Sequence, residues 1–131
     1  MNANFDIEII SPEKIIFSDS SSITTFPSYE GDMSILKDHV SLIAFLRPGM
    51  IKIEKADQSI KEFFVQDGTV EYFNNSLVIL SNSAIQKKNI SKEFLENLNK
   101  EVSDQLLKKN ITDHERYILN HKLDVINQIN L

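Results

Sequence analysis

The chain has 131 residues, 41% of them hydrophobic, enough for one ordinary core and an appendage. A net charge of −5, with no basic cluster beyond two adjacent lysines, argues against a nucleic-acid binder, whose affinity rests on Lys and Arg neutralising phosphates. With no cysteine there is no disulfide frame, no Cys-ligated zinc and no thiol nucleophile, a usage that fits a cytoplasmic protein.

The opening Met1-Asn-Ala-Asn-Phe-Asp6 has neither a basic n-region nor an apolar h-region, so no signal peptide is expected. No apolar run approaches the roughly 20 residues that span a bilayer. Any work at a membrane would then be done through protein partners, without direct insertion. Asn4–Ile9 alternates, with Phe5, Ile7 and Ile9 on one face and Asp6 and Glu8 on the other, which predicts a half-buried strand. Ser11-Pro12 turns the chain and Lys14–Phe17 forms a second short strand. Ser18–Ser22 is expected to be an exposed polar loop. Ile23–Phe26 makes a third strand, ended by Pro27, which cannot donate to a ladder.

Residues Glu30–Ile53 organise the rest. Glu30-Gly31-Asp32 reads as a turn, since Gly31 takes a positive φ without a Cβ penalty, and it opens a displayed loop over residues 31–41. Leu42-Ile-Ala-Phe-Leu46 is too short for an ordinary helix and is expected to be a buried strand. Arg47-Pro48-Gly49 predicts a type II turn, with Gly49 supplying the positive φ, before the alternating strand Met50–Ile53. Ala56–Ser59 then connects to a strand at Ile60–Gln66. Asp67-Gly68 is a hairpin signal, Thr69–Phe73 another strand, Asn74-Asn75 a type I′ turn and Ser76–Leu80 the last strand. Short strands at this spacing predict an antiparallel β-sandwich or flattened barrel.

Near Asn82 the period changes. Phe94, Leu95, Leu98, Val102 and Leu106 form a helical stripe after Ser91, with Asn110 as its expected stop. Thr112-Asp-His-Glu115 is a capping box for a second helix with an apolar arc of Ile118, Leu119, Leu123, Val125, Ile126 and Ile129. The fold class expected is α+β: an antiparallel β-sandwich over residues 1–86, then an antiparallel two-helix hairpin over residues 87–131.

Nothing in the pattern assembles catalytic chemistry. His39 stands beside Asp38, with no second histidine in residues 1–113 to complete a ligand set, so it reads as a loop hydrogen-bonding residue or partner contact. His114 and His121 lie on one helix face roughly 10 Å apart, too far to share a metal alone. Ser11-Pro12-Glu13 and Thr24-Thr25 form no nucleophile motif, and the glycines at 31, 49 and 68 make no phosphate loop. No catalytic residue, cofactor or metal is expected.

One ordered series stands out: Glu30-Gly31, Ile35-Leu36, His39, an apolar strand, Pro48-Gly49 and an alternating strand. It resembles the epsilon subunit of the F-type ATP synthase. The likeness runs without a gap over residues 8–53, including Ile10-Ser11-Pro12-Glu13 and Phe17-Ser18. It continues through Phe64–Gly68 and Val70-Glu71 to Leu77–Leu80. The chain departs from that pattern at Ser34, at Lys37-Asp38, at Val40-Ser41, at Asp67 and at Thr69, where the family usually has glycine, Pro-Gly, Ala-Pro, glycine and an apolar residue.

The resemblance implies a non-catalytic stalk subunit touching the gamma subunit and the ring of c subunits, and transiently the alpha/beta catalytic head. It implies a peripheral place on the cytoplasmic face of a bacterial inner membrane. Ser11, Glu30, Asp32 and His39 match partner-contact positions, and the hairpin would be regulatory. Some members bind ATP through an I/L-D-x-x-R-A motif; Ile90–Leu95 here lacks its aspartate, arginine and alanine, so ATP binding is not expected. A stand-alone β-sandwich binding module with a dimerising hairpin is the other reading the residues allow.

Overall fold

The computed structural model describes residues 3–129; Met1, Asn2, Asn130 and Leu131, the outermost residues of the two expected domains, lie outside them. The fold is α+β, a β-sandwich followed by two helices. Ten strands are formed: β1 Phe5–Ile10, β2 Ile15–Ser21, β3 Ile23–Ser28, β4 Gly31–Leu36, β5 Leu42–Leu46, β6 Gly49–Glu54, β7 Ile60–Val65, β8 Gly68–Phe73, β9 Ser76–Leu80 and β10 Ile85–Gln86. A short 3-10 turn at Lys87–Asn89 precedes α1 (Lys92–Leu106) and α2 (Asp113–Gln128). The chain divides into two compact units, one up to Lys87 and one from Lys88 onward.

The strands run β10-β7-β6-β3-β5-β8-β9-β1-β2, with β4 added to the other side of β3. All pairs are antiparallel except β1 and β9, which are parallel. Strand β3 belongs to both halves: Ile23–Thr25 pair with β6, whereas Ser28 meets Leu46 of β5. Pro27 therefore does not end the strand as expected. Its carbonyl accepts the Arg47 N–H at 3.1 Å, so its absent N–H faces the side where β3 has left β6 and not yet met β5. No ladder donor is needed there.

The same topology corrects the Asp67-Gly68 hairpin. Strand β7 pairs with β6 and β10, and β8 pairs with β5 and β9, so these residues carry the chain across the sandwich. Gly68 has φ +146, and a Cβ there would collide with the Leu80 carbonyl oxygen. Gly49 is needed for space rather than a positive φ: a Cβ would sit 2.7 Å from the Pro27 ring carbons. Asn74 and Asn75 do take the left-handed conformation, with φ of 50 and 61.

Three segments expected as loop or core differ. Ser18–Ser21 belong to β2 and pair with β1; Ser21 is buried, its hydroxyl 2.9 Å from Thr24 Oγ1 and donating to the Glu54 carbonyl at 2.9 Å. Polar side chains with such partners cost little when buried. The loop over 31–41 begins as β4, whose Met33 is half-buried and Ile35 buried while Asp32 and Ser34 face outward, a two-residue period too short to stand out. Strand β5 is covered on one face only: Leu46 is buried, whereas Ile43 is 70% and Phe45 62% exposed. The two-residue β10 had no periodicity to announce it.

Fourteen hydrophobic residues drawn from eight strands, among them Phe5, Phe26, Phe63 and Tyr72, form the core of the sandwich. In the helical unit, Ser91 caps α1 by accepting the Phe94 N–H at 3.0 Å. The helix ends with Leu107 in a right-handed conformation, three residues before the expected stop at Asn110. Thr112 caps α2 by accepting the Glu115 N–H at 3.0 Å and donates its hydroxyl to the Glu115 carboxylate at 3.3 Å. Leu98, Val102 and Ile126 are buried.

Candidate functional site

Ser11, Glu30, Asp32 and His39 are not brought together. Strand β4 starts at Gly31 and ends at Leu36, so it carries the chain about 17–20 Å from one end of the sandwich to the other. Glu30 and Asp32 sit at the first end, His39 at the second.

At the first end, the Ser28 hydroxyl donates to the Gly31 carbonyl at 2.6 Å and accepts the Glu30 N–H at 3.3 Å. This tight turn, with Gly31 at φ +117, displays Glu30 and Asp32 to solvent. Ser11 lies at the same end, but four strand steps away along the ladder, which runs from Ser28 to Leu46 and Gly68, then from Thr69 to Leu80 and Ile10. It is buried, and its hydroxyl is 3.2 Å from both the carbonyl and the N–H of Lys14.

At the second end, a polar knot holds residues 36–39. The Asp38 N–H donates to Asn75 Oδ1 at 2.7 Å, and Asn75 Nδ2 donates back to the Asp38 carboxylate at 3.0 Å. The Tyr72 hydroxyl donates to Asn75 Oδ1 at 2.8 Å, and burial pushes its pKa above the usual tyrosine value. The His39 ring sits edge-on to Tyr72, centroids 5.9 Å apart, with Nδ1 2.8 Å from the Val40 carbonyl. Asp38 takes φ 65 to make these bonds, a conformation Asp tolerates better than most residues. The knot ties the β4–β5 connection to the β8–β9 turn.

Between the two ends runs the surface the sequence reading missed. The outward residues of β5 are Ile43 and Phe45, and Phe73 of β8 is 72% exposed beside them. Residues 41–43 and 71–73 line a shallow open groove on this face. Two further large apolar side chains near the ends of β5 are exposed: Val40, 74%, two residues before it, and Tyr29, 49%, whose N–H donates to the Phe45 carbonyl. Ile43, Phe45 and Phe73 are thus neighbours on one face rather than singly scattered. The signal was present in Leu42–Leu46: five consecutive apolar residues in a sandwich strand mean that both faces are apolar, and only one can face the strand's own core.

Among the described residues, no group of three or more His, Cys, Asp or Glu is placed to hold a metal, and no helix is long and apolar enough to cross a membrane. The arrangement offers an apolar face and a carboxylate-bearing turn. The chain is thus a β-sandwich that leaves an apolar face uncovered, followed by a pair of helices.

The comparisons with known proteins are specific. The beta-sandwich domain of the ATP synthase delta/epsilon chain matches residues 4–87. An ATP synthase epsilon chain of Pelagibacter ubique (strain HTCC1062) is 38% identical over 132 residues, covering 99% of this chain and 100% of the relative. One from Endomicrobium trichonymphae is 32% identical over 123 residues, 94% of this chain and 79% of that one. Among solved structures, a chain of the Euglena gracilis mitochondrial ATP synthase OSCP/F1/c-ring shares the fold with TM-score 0.74 at 16% identity, covering 97% of this chain and 79% of that one. A chain of the Tetrahymena thermophila mitochondrial ATP synthase central stalk/c-ring does so with TM-score 0.63 at 19% identity, covering 94% and 93%. The chain belongs to the ATP synthase delta/epsilon family, within its epsilon chains.

Proposed function

We propose that this chain is the central-stalk epsilon subunit of a rotary, proton-translocating ATP synthase, joining the gamma subunit to the ring of c subunits and so coupling proton transport to ATP synthesis. It works without catalytic residues of its own, peripheral to the cytoplasmic face of a bacterial inner membrane and held there by its partners. The observation that carries this reading is the uncovered face of Ile43, Phe45 and Phe73, among the most exposed large apolar side chains of the sandwich. That face suits a broad, permanent contact with gamma. The turn bearing Glu30 and Asp32 suits the polar loops of the ring, where a carboxylate forms charge-assisted hydrogen bonds. In this assignment His39 and Ser11 act indirectly, by fixing the chain at the two ends of the sandwich.

The hairpin is read as a weak, conditional brake on hydrolysis that does not sense ATP. From Thr112 onward it carries two basic side chains, Arg116 and Lys122, against three acidic ones, Asp113, Glu115 and Asp124, so charge does not draw it to an acidic surface. Ser91, at the aspartate position of the ATP motif, is engaged as the α1 cap, and Phe94 and Leu95 are half-buried. Affinity purification of the native protein from its own membranes tests the assignment. Co-purification of gamma and c subunits is the expected result; recovery only of the chain itself would favour a stand-alone module.

A further inference from the structure

We infer that Asn99 and Asn127 form a clasp that holds the helical hairpin shut in one register and, resting on the brake reading above, sets how readily the brake engages. Asn99 Nδ2 donates to Asn127 Oδ1 at 2.9 Å, joining residues 28 apart in the chain. One turn further along α1, the Ser103 hydroxyl donates to Asn99 Oδ1 at 3.4 Å, which leaves the Asn99 amino group turned towards α2. Asn127 lies in the last turn of α2, about 20 Å along the axis from Asp113, where that helix starts. The clasp therefore fastens the end of α2 that lies furthest from the loop.

Position sets this bond apart from the one at the other end of the hairpin. There Arg116 Nη1 donates to the Leu106 carbonyl at 3.4 Å, across 10 residues of chain, so the contact spans the loop. It can survive separation of the far ends, whereas the asparagine pair cannot. Asn99 and Asn127 each follow a buried residue, Leu98 and Ile126, and their bond is exposed. The clasp thus sits at the margin of the buried seam, where water reaches it.

An apolar stripe by itself aligns two helices loosely, because a helix slid by one turn presents similar side chains to its neighbour. A polar pair fixes the alignment, since its bond forms in one register only, as a single asparagine does in coiled coils at some cost in stability. Asparagine is a poorer helix former than alanine or leucine, so local propensity does not explain either residue. On opening, both amides exchange their bond for water and leave no unpaired buried group. Such a contact resists opening modestly and reversibly, which suits a conditional brake better than a fully apolar seam.

The chain has no cysteine, so nitroxide labels at Glu96→Cys and Asp124→Cys, both exposed, report the separation of the helices in the full-length chain by pulsed electron paramagnetic resonance. Asn99→Ala and Asn127→Ala should each raise the population with long separations about two- to tenfold, the effect of one ordinary hydrogen bond. The double variant should open no further than either single one, because both remove the same contact. Helical circular dichroism should hold or rise, since alanine is the better helix former. Unchanged separations, effects that multiply in the double variant, or opening accompanied by loss of helix signal would each overturn the clasp. In the assembled enzyme the double variant should lower ATP hydrolysis at least twofold. Opening with unchanged hydrolysis would overturn the brake reading while leaving the clasp standing.

Discussion

The sandwich and the hairpin reach stability by different routes. The sandwich gathers fourteen hydrophobic residues into one buried cluster, so its strands meet one another across long sequence separations and close a core of their own. The helices α1 and α2 have three buried residues between them, Leu98, Val102 and Ile126. Their good local signals, the Ser91 and Thr112 caps, fix where each helix starts but contribute only about 1 kcal/mol each. Isolated helices of this length are marginal in water. A well-packed body followed by a lightly packed pair of helices suits the role proposed above, in which the sandwich docks and the hairpin acts as a conditional brake.

That contrast can be broken most sharply by separating the two. A fragment of residues 1–86 should unfold in one cooperative thermal transition with its near-UV signal intact, while residues 88–131 alone should lose most of their helical circular dichroism. A molten profile for the first fragment would show that the hairpin supplies part of its core. Within the full chain, Phe26→Ala should cost about 3–5 kcal/mol in denaturant unfolding, since Phe26 is fully buried. Val102→Ala, which removes two methyl groups from the hairpin, should cost about 1.5 kcal/mol.

The polar knot gives a smaller effect. Asn75→Ala should destabilise the sandwich by roughly 1–3 kcal/mol, because the Asp38 N–H and the Tyr72 hydroxyl lose their acceptor. Asn75→Gly should be milder by roughly 1 kcal/mol, since φ 61 is free for glycine. Equal losses would mean that backbone conformation plays no part. For the hairpin, deleting residues 88–131 from the intact enzyme should raise ATP hydrolysis less than about threefold at low salt, under ~0.7 kcal/mol of brake. A tenfold rise would mean that apolar docking outweighs the charge balance.

The smallest effect expected is at the surface pair Asp19–Lys55, 2.7 Å apart. The hydrogen bond from Lys55 holds the Asp19 carboxyl below its ordinary pKa, and the same bond raises that of Lys55. A depressed carboxylate stabilises the fold above its ordinary pKa and loses that contribution as pH falls through its lowered value. A raised lysine loses its contribution as pH rises through the raised value. Asp19→Asn should flatten both limbs of a melting-temperature against pH profile slightly, and high salt should mask the difference.

Much of the architecture was legible because it rests on short-range rules. The alternation of Phe5, Ile7 and Ile9, the asparagines of the β8–β9 turn and the Thr112 cap each act within a few residues. What escaped depends on who pairs with whom. Asp67-Gly68 looks like a hairpin turn, yet β7 and β8 face different partners, and that choice is made by the whole sheet. Pro27 looks like a strand end until β3 is seen to change halves around it. Glu30, Asp32 and His39 are neighbours in sequence, and β4 carries them to opposite ends. The exposure of Ile43 and Phe45 was implied by the unbroken apolar run Leu42–Leu46 but read as burial, because the run does not say whether another element of the chain covers its second face.

On the function proposed above, this apolar face holds the chain in its assembly and does nothing for its fold. Phe45→Glu tests it most directly, since the side chain is already 62% exposed in the chain by itself. The melting temperature of the free variant and its co-purification with the gamma and c subunits are measured on the same preparation. The melting temperature should stay within about 2 °C of the parent, because surface substitutions seldom exceed half a kcal/mol. The same reading predicts a loss of association of at least 100-fold, about 2.7 kcal/mol. Undiminished co-purification, or a melting temperature lower by 10 °C or more, would contradict it.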